Sequence, residues 1–209
     1  MHSPAAPTNP LIRRYDRAAS GWQRGIERLG YLAAYQLMIP PDATLACVLD
    51  AGCGTGAFAG ALLRAGLQPE CLDLLDPSAA MLAHASTRMT AHHQPHTLLH
   101  RPLDGPPPAQ RYDLILCAHL IEHFADPAEP LRLLHAMLAP GGHLALVTSR
   151  PHWCTTLVRL RWRHRALPAA TVANALGAAG FTAIRRIAFT HGPPARMSHG
   201  FVATRRETE

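Results

Sequence analysis

The sequence contains no lysine, and all twenty of its basic residues are arginines. It also lacks any carboxylate between Leu131 and Arg206. Residues 1–130 carry nine arginines and twelve acids, a net charge of −3, whereas residues 131–209 carry eleven arginines and two acids, a net charge of +9. A surface of one sign attracts anions, so the C-terminal third either faces an anionic molecule or forms a solvated basic face.

Long hydrophobic runs are missing as well. No apolar run approaches the ~18 residues of a membrane-spanning helix, and the N-terminus shows no apolar stretch after a basic start, so we expect no secretory signal. The five cysteines have no paired spacing, and Cys47, Cys71 and Cys117 fall in or beside predicted buried strands. Such a pattern indicates reduced thiols and predicts a cytoplasmic protein. Its 209 residues, 48% hydrophobic and 16% charged, fit one globular domain.

Predicted strands and helices alternate along most of the chain, which favours an α/β fold whose parallel sheet has helices on both faces. The apolar spacing over residues 10–38 predicts one or two helices, hence an N-terminal helical cap at 1–40 before the main part of the domain at 41–209. The two last strands flank a Gly192-Pro193-Pro194 turn and predict an antiparallel hairpin at the edge of a seven-stranded sheet. The strands are predicted at residues 43–50, 70–76, 96–100, 112–118, 143–149, 181–189 and 198–206.

Two of the predicted helices have distinctive ends. One, at residues 77–89, would place Pro77 in its first turn, where a missing N–H does no harm. The other, at residues 126–142, would end at Gly141-Gly142, since glycine commonly follows the last turn of a helix.

A glycine-rich stretch, VLDAGCGTG, follows the first predicted strand. Gly52, Gly54 and Gly56 stand at every second position after Asp50. The loop is not a Walker A motif, which binds nucleoside triphosphates, because it lacks Gly-Lys-Ser/Thr. It is also not the dinucleotide-binding fingerprint, whose glycines lie at positions 1, 3 and 6. An acid just before the loop would repel a pyrophosphate, so the pattern favours a ligand that carries positive charge.

A second acid, Asp76, ends the second predicted strand about twenty residues after Gly56. A carboxylate at this place can accept hydrogen bonds from both ribose hydroxyls. A cation near Asp50 and a ribose at Asp76 together describe S-adenosylmethionine (SAM), which has an ammonium group, a sulfonium and no phosphate.

Four stretches in order resemble the class I SAM-dependent methyltransferases. They are VLDAGCGTG, LLDPSAAML, YDLILCAHLIEHFADP and MLAPGGHLALV, and the resemblance extends from residue 15 to about residue 204. It is nearest to the small-molecule branch typified by the ubiquinone and menaquinone biosynthesis enzymes. The resemblance implies a Rossmann-like, doubly wound fold and an enzyme that moves a methyl group from SAM to a small acceptor.

The resemblance also implies roles for single residues. Asp50 and the backbone of Ala51, Gly52 and Gly54 would hold the methionine end of SAM, and Asp76 would bind the ribose. The residues expected to complete the cofactor site are Pro77 beside the ribose, Cys117 and Ala118 on the sulfonium side, and Tyr15, which either covers the cofactor or packs its helix.

One position departs from the family pattern. An acid after the third strand often contacts the adenine amino group, but here Arg101 or Pro102 falls at that place. Asp104 stands nearby and is the candidate for the adenine contact.

Methyl transfer is an in-line displacement, so much of its rate comes from holding the nucleophile and the methyl group in line. A hydroxyl or acidic N–H acceptor also needs a general base, for which histidine is suited. His119 and His123 follow the fourth strand, close to the expected methyl group. His119 is the preferred candidate of the two for the base, and a histidine that only lines the pocket, with no part in proton transfer, is the alternative. His123 matches the family's Leu-Glu-His element, in which Ile121 replaces leucine.

The acceptor is less defined than the cofactor. Residues 150–165 hold five arginines and two tryptophans without an acid, which suits a phosphate, a carboxylate or a carrier-bound substrate. A solvated basic helix or a contact with a membrane surface would explain the same composition. We expect no metal site in the histidine-rich run at residues 92–100, because Pro95 breaks the helical spacing and no Cys or acid completes a ligand set.

Two further functions stay open. The basic C-terminal third would suit a nucleic-acid methyltransferase, but the sequence has no appended RNA-binding module and no Asn/Asp-Pro-Pro-Tyr/Phe element for a flipped base. A SAM-binding protein that transfers no methyl group, either a cyclase-like enzyme or a regulator, would share the same fold.

Overall fold

A computed structural model describes residues 10–41, 43, 45–106, 108–152 and 165–207 of the chain. Both tryptophans of the 150–165 segment and Cys154 lie outside these ranges. The helices are α1 (Pro10–Arg28), α2 (Tyr31–Gln36), α3 (Ala57–Arg64), α4 (Ala79–Ala91), α5 (Ala128–Met137), α6 (Ala169–Ala178) and α7 (Gly192–Met197), with a 3₁₀ turn at Ile121–His123. The strands are β1 (Cys47–Ala51), β2 (Cys71–Asp76), β3 (Thr97–His100), β4 (Tyr112–Ala118), β5 (Leu138–Ser149), β6 (Phe181–Ile187) and β7 (Ser198–Arg205).

The seven strands form one sheet in the order β3-β2-β1-β4-β5-β7-β6. The first five strands of this order run parallel, and β7 is antiparallel to both β5 and β6. The central strands β1, β2 and β4 are mostly apolar and almost fully buried because both of their faces are covered, as is typical of parallel sheets. The α/β, doubly wound, mostly parallel sheet with an antiparallel C-terminal hairpin is therefore confirmed.

The register of the sheet brings three loops together. Ala51, the last residue of β1, pairs with Leu75 of β2 and with Cys117 of β4. The carboxyl ends of these three strands consequently meet at one edge, where open α/β sheets bind their ligands.

The two N-terminal helices share the core of the main domain. Tyr35 of α2 stacks on Phe58 of α3 with ring centroids 4.5 Å apart, and Ile26 of α1 belongs to the same apolar cluster as Val48 of β1. The predicted cap is thus built of two helices, while a boundary at residue 40 stays a prediction. No helix within the described ranges combines the length and the apolar character needed to cross a membrane.

Helix α1 lies over the carboxyl ends of the strands and is fastened at both ends. Near its start, Asp16 accepts a hydrogen bond from the Ser78 hydroxyl at 2.5 Å. Near its end, Glu27 pairs at 3.2 Å with Arg88, a buried α4 residue whose Nε donates to the carbonyl of Thr55. Because these contacts connect α1 to α4 and to the glycine loop, the helix covers the loop.

Two predicted helix ends differ from the structure. Helix α5 ends at Met137, four residues before Gly141, because Leu138 already pairs with Tyr112 of β4. Gly142 is part of β5, where a Cβ would lie 2.9 Å from two backbone oxygens, so the glycine serves close backbone packing and not a helix cap. Pro77 precedes α4 and is not in its first turn, since the N-cap is Ser78, whose hydroxyl accepts from the N–H of Met81 at 3.1 Å.

A third difference concerns the link between the last two strands. The stretch Gly192–Met197 forms the short helix α7 where the sequence predicted a turn. The helix tolerates proline in its first turn, because the first N–H groups of a helix have no hydrogen-bond partner within it.

Candidate active site

A cavity of about 890 Å³ lies between α1 and the carboxyl ends of β1, β2 and β4. It is large enough for a cofactor together with a small acceptor. Two of the predicted cofactor residues, Ala51 and Cys117, are fully buried and are not part of the lining. The predicted residues that line the cavity are Tyr15, Asp50, Gly52, Gly54, Asp76, Pro77, Asp104, Ala118, His119 and His123.

The glycine loop exposes its backbone to this cavity. Gly52, Gly54 and Gly56 all have positive φ, at 67°, 50° and 70°, a region that favours glycine. A Cβ on Gly54 would meet only Trp22 Nε1, at 3.9 Å, so the space above this residue is open to a ligand. A Cβ on Gly56 would instead press on Ala85 of α4 at 3.1 Å, which shows that this glycine serves helix packing.

Asp50 is buried at the floor of the cavity. It is 1% exposed, and its Oδ2 accepts a hydrogen bond from the N–H of Ala59, in the first turn of α3, at 3.0 Å. Burial raises the pKa of Asp50 to about 7, although the Ala59 hydrogen bond acts in the opposite direction. A cation beside this carboxylate would restore its ordinary acidity, so the position suits the ammonium or sulfonium of a ligand.

Asp76 has its two oxygens aimed at backbone N–H groups. Oδ2 accepts from Gly54 at 2.9 Å and Oδ1 accepts from Ser78 at 2.8 Å. Burial raises the pKa of Asp76 to about 6, and these two hydrogen bonds partly offset the effect. Two buried carboxylates and an open glycine backbone, with an adjoining cavity, fit a cationic, ribose-bearing ligand such as SAM.

Replacing Asp76 by alanine is expected to weaken SAM binding by roughly tenfold or more, since charge-assisted hydrogen bonds to a ribose are each worth about 1.5–3 kcal/mol. Calorimetric titration of SAM into the wild type and the variant measures the change. Asp113→Ala is a matched control, because Asp113 caps the N–H of Cys47 at 2.8 Å at the opposite end of the sheet. An unchanged SAM affinity in folded Asp76→Ala would contradict the ribose assignment.

His119 stands at the end of β4 with its side chain partly open to the cavity. Its backbone adopts φ 55°, an uncommon conformation for a residue other than glycine, although His, Asn and Asp adopt it more often than other residues do. Nδ1 lies 3.1 Å from the Ser149 hydroxyl and 3.3 Å from Glu122 Oε1. The ring of Tyr31 approaches that of His119 edge-on at 5.5 Å. Contacts on one nitrogen and on the ring thus hold the imidazole in place.

His123 occupies the same wall but is engaged differently. Its Nε2 lies 3.0 Å from the hydroxyl of Tyr15. Burial lowers the pKa of His123 and raises the pKa of Tyr15, so both side chains are neutral near pH 7 and share one hydrogen bond. Tyr15 therefore packs against Trp22 and His123 and also lines the cavity, and its role in covering the cofactor stays a prediction.

The remaining predicted residues lie around the rim, where Asp104 and Pro77 line the cavity on the β2–β3 side. Sequence reasoning missed three residues beside His119, namely Glu122, Ser149 and Tyr31. Glu122 is the only acid between Asp113 and Asp126, and Ser149 is a small polar residue at the end of a strand. Both patterns are signals that could have drawn attention to them.

A methyltransferase-domain family matches residues 15–186 of this chain. The ubiquinone biosynthesis O-methyltransferase of Yersinia pestis (strain Pestoides F) is 30% identical over 129 residues, which is 59% of this chain and 52% of that protein. The chain thus spans about half the length of the curated relatives it matches.

Solved structures show the same fold. The N-methyltransferase NodS from Bradyrhizobium japonicum WM9, in complex with S-adenosyl-L-homocysteine, superposes with a TM-score of 0.72 at 20% identity, over 95% of this chain and 100% of that one. An O-methyltransferase family protein from Burkholderia thailandensis gives a TM-score of 0.72 at 15% identity, over 95% of this chain and 62% of that one.

The family match covers most of the described fold and includes the glycine loop, both cavity carboxylates and the stretch after β4. The predictions of a class I methyltransferase and of SAM as its cofactor are confirmed. With its Rossmann-like sheet and this match, the chain belongs to the methyltransferase-domain family of SAM-dependent enzymes.

Proposed function

We propose that this protein methylates a hydroxyl or acidic N–H group of a small-molecule acceptor and that His119 is its general base. The observation that carries the proposal is the placement of His119 at the end of β4, in the wall of the cavity that also holds Asp50 and Asp76. When bound, SAM supplies an electrophilic methyl group on a positively charged sulfur.

Asp50, with the backbone of Ala51, Gly52 and Gly54, is proposed to hold the amino-acid end of the cofactor. Asp76 binds the ribose in this proposal, and the exposed backbone at Gly54 lets the cofactor lie directly on the loop. The other proposed cofactor contacts are Tyr15, Pro77, Asp104, Cys117 and Ala118. Cys117 is buried behind the residues that line the cavity.

His119 takes the proton that the acceptor loses as it attacks. Its Nδ1 is occupied by Ser149 and Glu122, and among the described residues no hydrogen bond reaches its Nε2. The free nitrogen is therefore the one that can accept a proton from an O–H or N–H group in the cavity. His123, whose Nε2 is engaged by Tyr15, is proposed to fix the wall beside it.

The acceptor is proposed to be small and either anionic or carrier-bound. The net charge of +9 over residues 131–209 supports an anion, and the name of the Yersinia relative supports an oxygen nucleophile. Arg161 and Arg163, the arginines expected to meet the anion, lie outside the described residues. A cytoplasmic location is part of the same proposal.

A transfer assay with methyl-labelled SAM and fractions of a cell extract tests this function. We expect label in a small-molecule product that binds an anion-exchange resin. Label in nucleic acid or protein would contradict the small-molecule acceptor, and no labelled product from any fraction would favour a SAM-binding protein without transferase activity. His84→Gln, which alters an α4 histidine outside the cavity lining, is the matched control for variants of His119.

A further inference from the structure

Glu122 is a buried carboxylate beside the proposed base. It lies in the 3₁₀ turn after β4 and is 2% exposed. Its Oε1 accepts hydrogen bonds from the N–H of Ser149 at 2.6 Å and from Nδ1 of His119 at 3.3 Å. Its Oε2 is buried and has no hydrogen-bond partner among the residues that the structure describes.

Burial on its own would raise the pKa of Glu122, but the hydrogen bond and charge of His119, with the backbone N–H of Ser149, outweigh it and lower the pKa. Glu122 is therefore ionised near neutral pH. A buried charge is expensive unless hydrogen-bond donors or an opposite charge compensate it. The N–H of Ser149 and Nδ1–H of His119 donate to Glu122 in the resting protein, and the imidazolium formed during proton transfer would add the opposite charge.

The other titratable groups that face Glu122 are neutral. Tyr15 of α1 and Tyr31 and Tyr35 of α2 have a raised pKa, chiefly because they are buried. Burial likewise raises the pKa of Cys117 and lowers that of His123. Within the described ranges, Glu122 is thus the ionised side chain that contacts the His119 ring.

We propose that Glu122 is a positioning residue, which holds the proton of His119 on Nδ1, leaves Nε2 unprotonated toward the acceptor, and stabilises the imidazolium once Nε2 has taken the acceptor's proton. This inference rests on the proposed function. A donor on Nδ1 fixes the tautomer, because a neutral imidazole carries one proton only. The unusual φ of His119 fits this role, since backbone strain of that kind persists where the surroundings over-determine it.

The variant Glu122→Gln distinguishes a positioning role of Glu122 from a merely structural one. Glutamine keeps the size of the side chain, and its carbonyl oxygen can still accept from Ser149. The charge is lost, so the preference for the Nδ1–H tautomer and the stabilisation of the imidazolium are lost with it. A structural role would leave both properties of His119 unchanged in a folded variant.

The test combines ¹⁵N-histidine NMR with kinetics. Long-range ¹H–¹⁵N spectra report which nitrogen of His119 is protonated, and the His119 signals are assigned by their loss in His119→Gln. We expect Nδ1 to be protonated and Nε2 unprotonated in the neutral His119 of the wild type, and we expect this tautomer preference to be lost in Glu122→Gln. In the same variant we expect kcat to fall by about tenfold or more, the SAM affinity to stay constant, and the acidic limb of the pH–rate profile, where the base becomes protonated, to move to lower pH.

Glu129→Gln is the matched control, because Glu129 is exposed on the first turn of α5. An unchanged tautomer of His119 in folded Glu122→Gln would overturn the proposal. If that variant does not fold, Glu122→Asp takes its place, because the shorter side chain keeps the charge but moves it away from the His119 ring. The changes in tautomer, kcat and pH–rate profile are then expected to have the same direction and to be smaller. Full activity of His119→Gln would overturn the proposed base, whereas the NMR comparison judges Glu122 independently of activity.

Discussion

Replacing Asp50 by asparagine is expected to weaken SAM binding by roughly 2 kcal/mol, about thirtyfold, because a buried charge-assisted contact is lost. Asparagine keeps the shape and can still accept the hydrogen bond from Ala59. The substitution therefore removes charge from the floor of the cavity while the start of α3 stays in place. Isothermal titration of SAM at pH 8 measures the loss.

The same variant is expected to be more stable than the wild type without cofactor. The pKa of Asp50 is about 7 in the folded protein and has the ordinary carboxyl value when the chain is unfolded. Such a group favours folding below its unfolded pKa, and this stability is lost as pH rises through about 7. Asp50→Asn should therefore gain thermal stability over the wild type at pH 8 and little at pH 4.

Asp73→Asn is the control for both effects. Asp73 is also a buried carboxylate of the sheet, but it accepts a hydrogen bond from Tyr112 at 2.6 Å and does not line the cavity. We expect it to leave the SAM affinity unchanged. An Asp50→Asn protein that binds SAM as tightly as the wild type would contradict the cation site.

Replacing His119 by glutamine is expected to lower kcat by roughly 10²–10⁴-fold, the range that a positioned general base contributes. The affinity for SAM should remain within about twofold, because the proposed contacts of the cofactor are made by the glycine loop and the two aspartates. The acidic limb of the kcat profile, where the base becomes protonated, should disappear. Steady-state kinetics with the identified acceptor, together with calorimetry of SAM, separate the two effects.

His84→Gln provides the comparison for this variant, and its kinetics should match those of the wild type. A His119→Gln enzyme with normal kcat and an unaltered pH profile would leave His119 as a residue that lines the pocket. The acceptor would then be one that needs no base, such as a thiolate or a neutral amine.

Much of the fold follows from local pattern. The mostly apolar runs of β1, β2 and β4 and the glycine spacing after Asp50 predict a parallel sheet with a loop at its carboxyl edge. The pairing of Ala51 with Leu75 and Cys117 then places Asp50 and Asp76 on one cavity, as the sequence predicted. These features depend on neighbours in sequence or on the general topology of α/β sheets, so they need no knowledge of packing.

The errors arise where contacts distant in sequence decide the structure. Leu138 has helical neighbours, but its pairing with Tyr112 draws it into β5. The sequence suggested a glycine cap at Gly141-Gly142, whereas Gly142 is a glycine because backbone oxygens of residues 112 and 139 lie against it. Pro77 stands outside α4 because Ser78 provides a better N-cap.

The candidate site shows the same division. The position of His119 after β4 was predictable, but its contacts with Ser149 at the end of β5 and with Tyr31 of α2 depend on how strands and helices meet in space. Glu122 could be noticed as a lone acid, yet its burial and its hydrogen bonds to His119 and Ser149 are properties of the folded chain.

The central claim is that buried carboxylates receive a positively charged cofactor, and proton release on SAM binding tests it most directly. The pKa of Asp50 is about 7 and that of Asp76 is about 6, so a fraction of both groups is protonated at pH 6.5 and must ionise when a cation binds. Calorimetry at that pH, in buffers of different ionisation enthalpy, counts the protons. We predict net release on SAM binding and a smaller release in Asp50→Asn. Zero release, or net uptake of protons, would contradict the account.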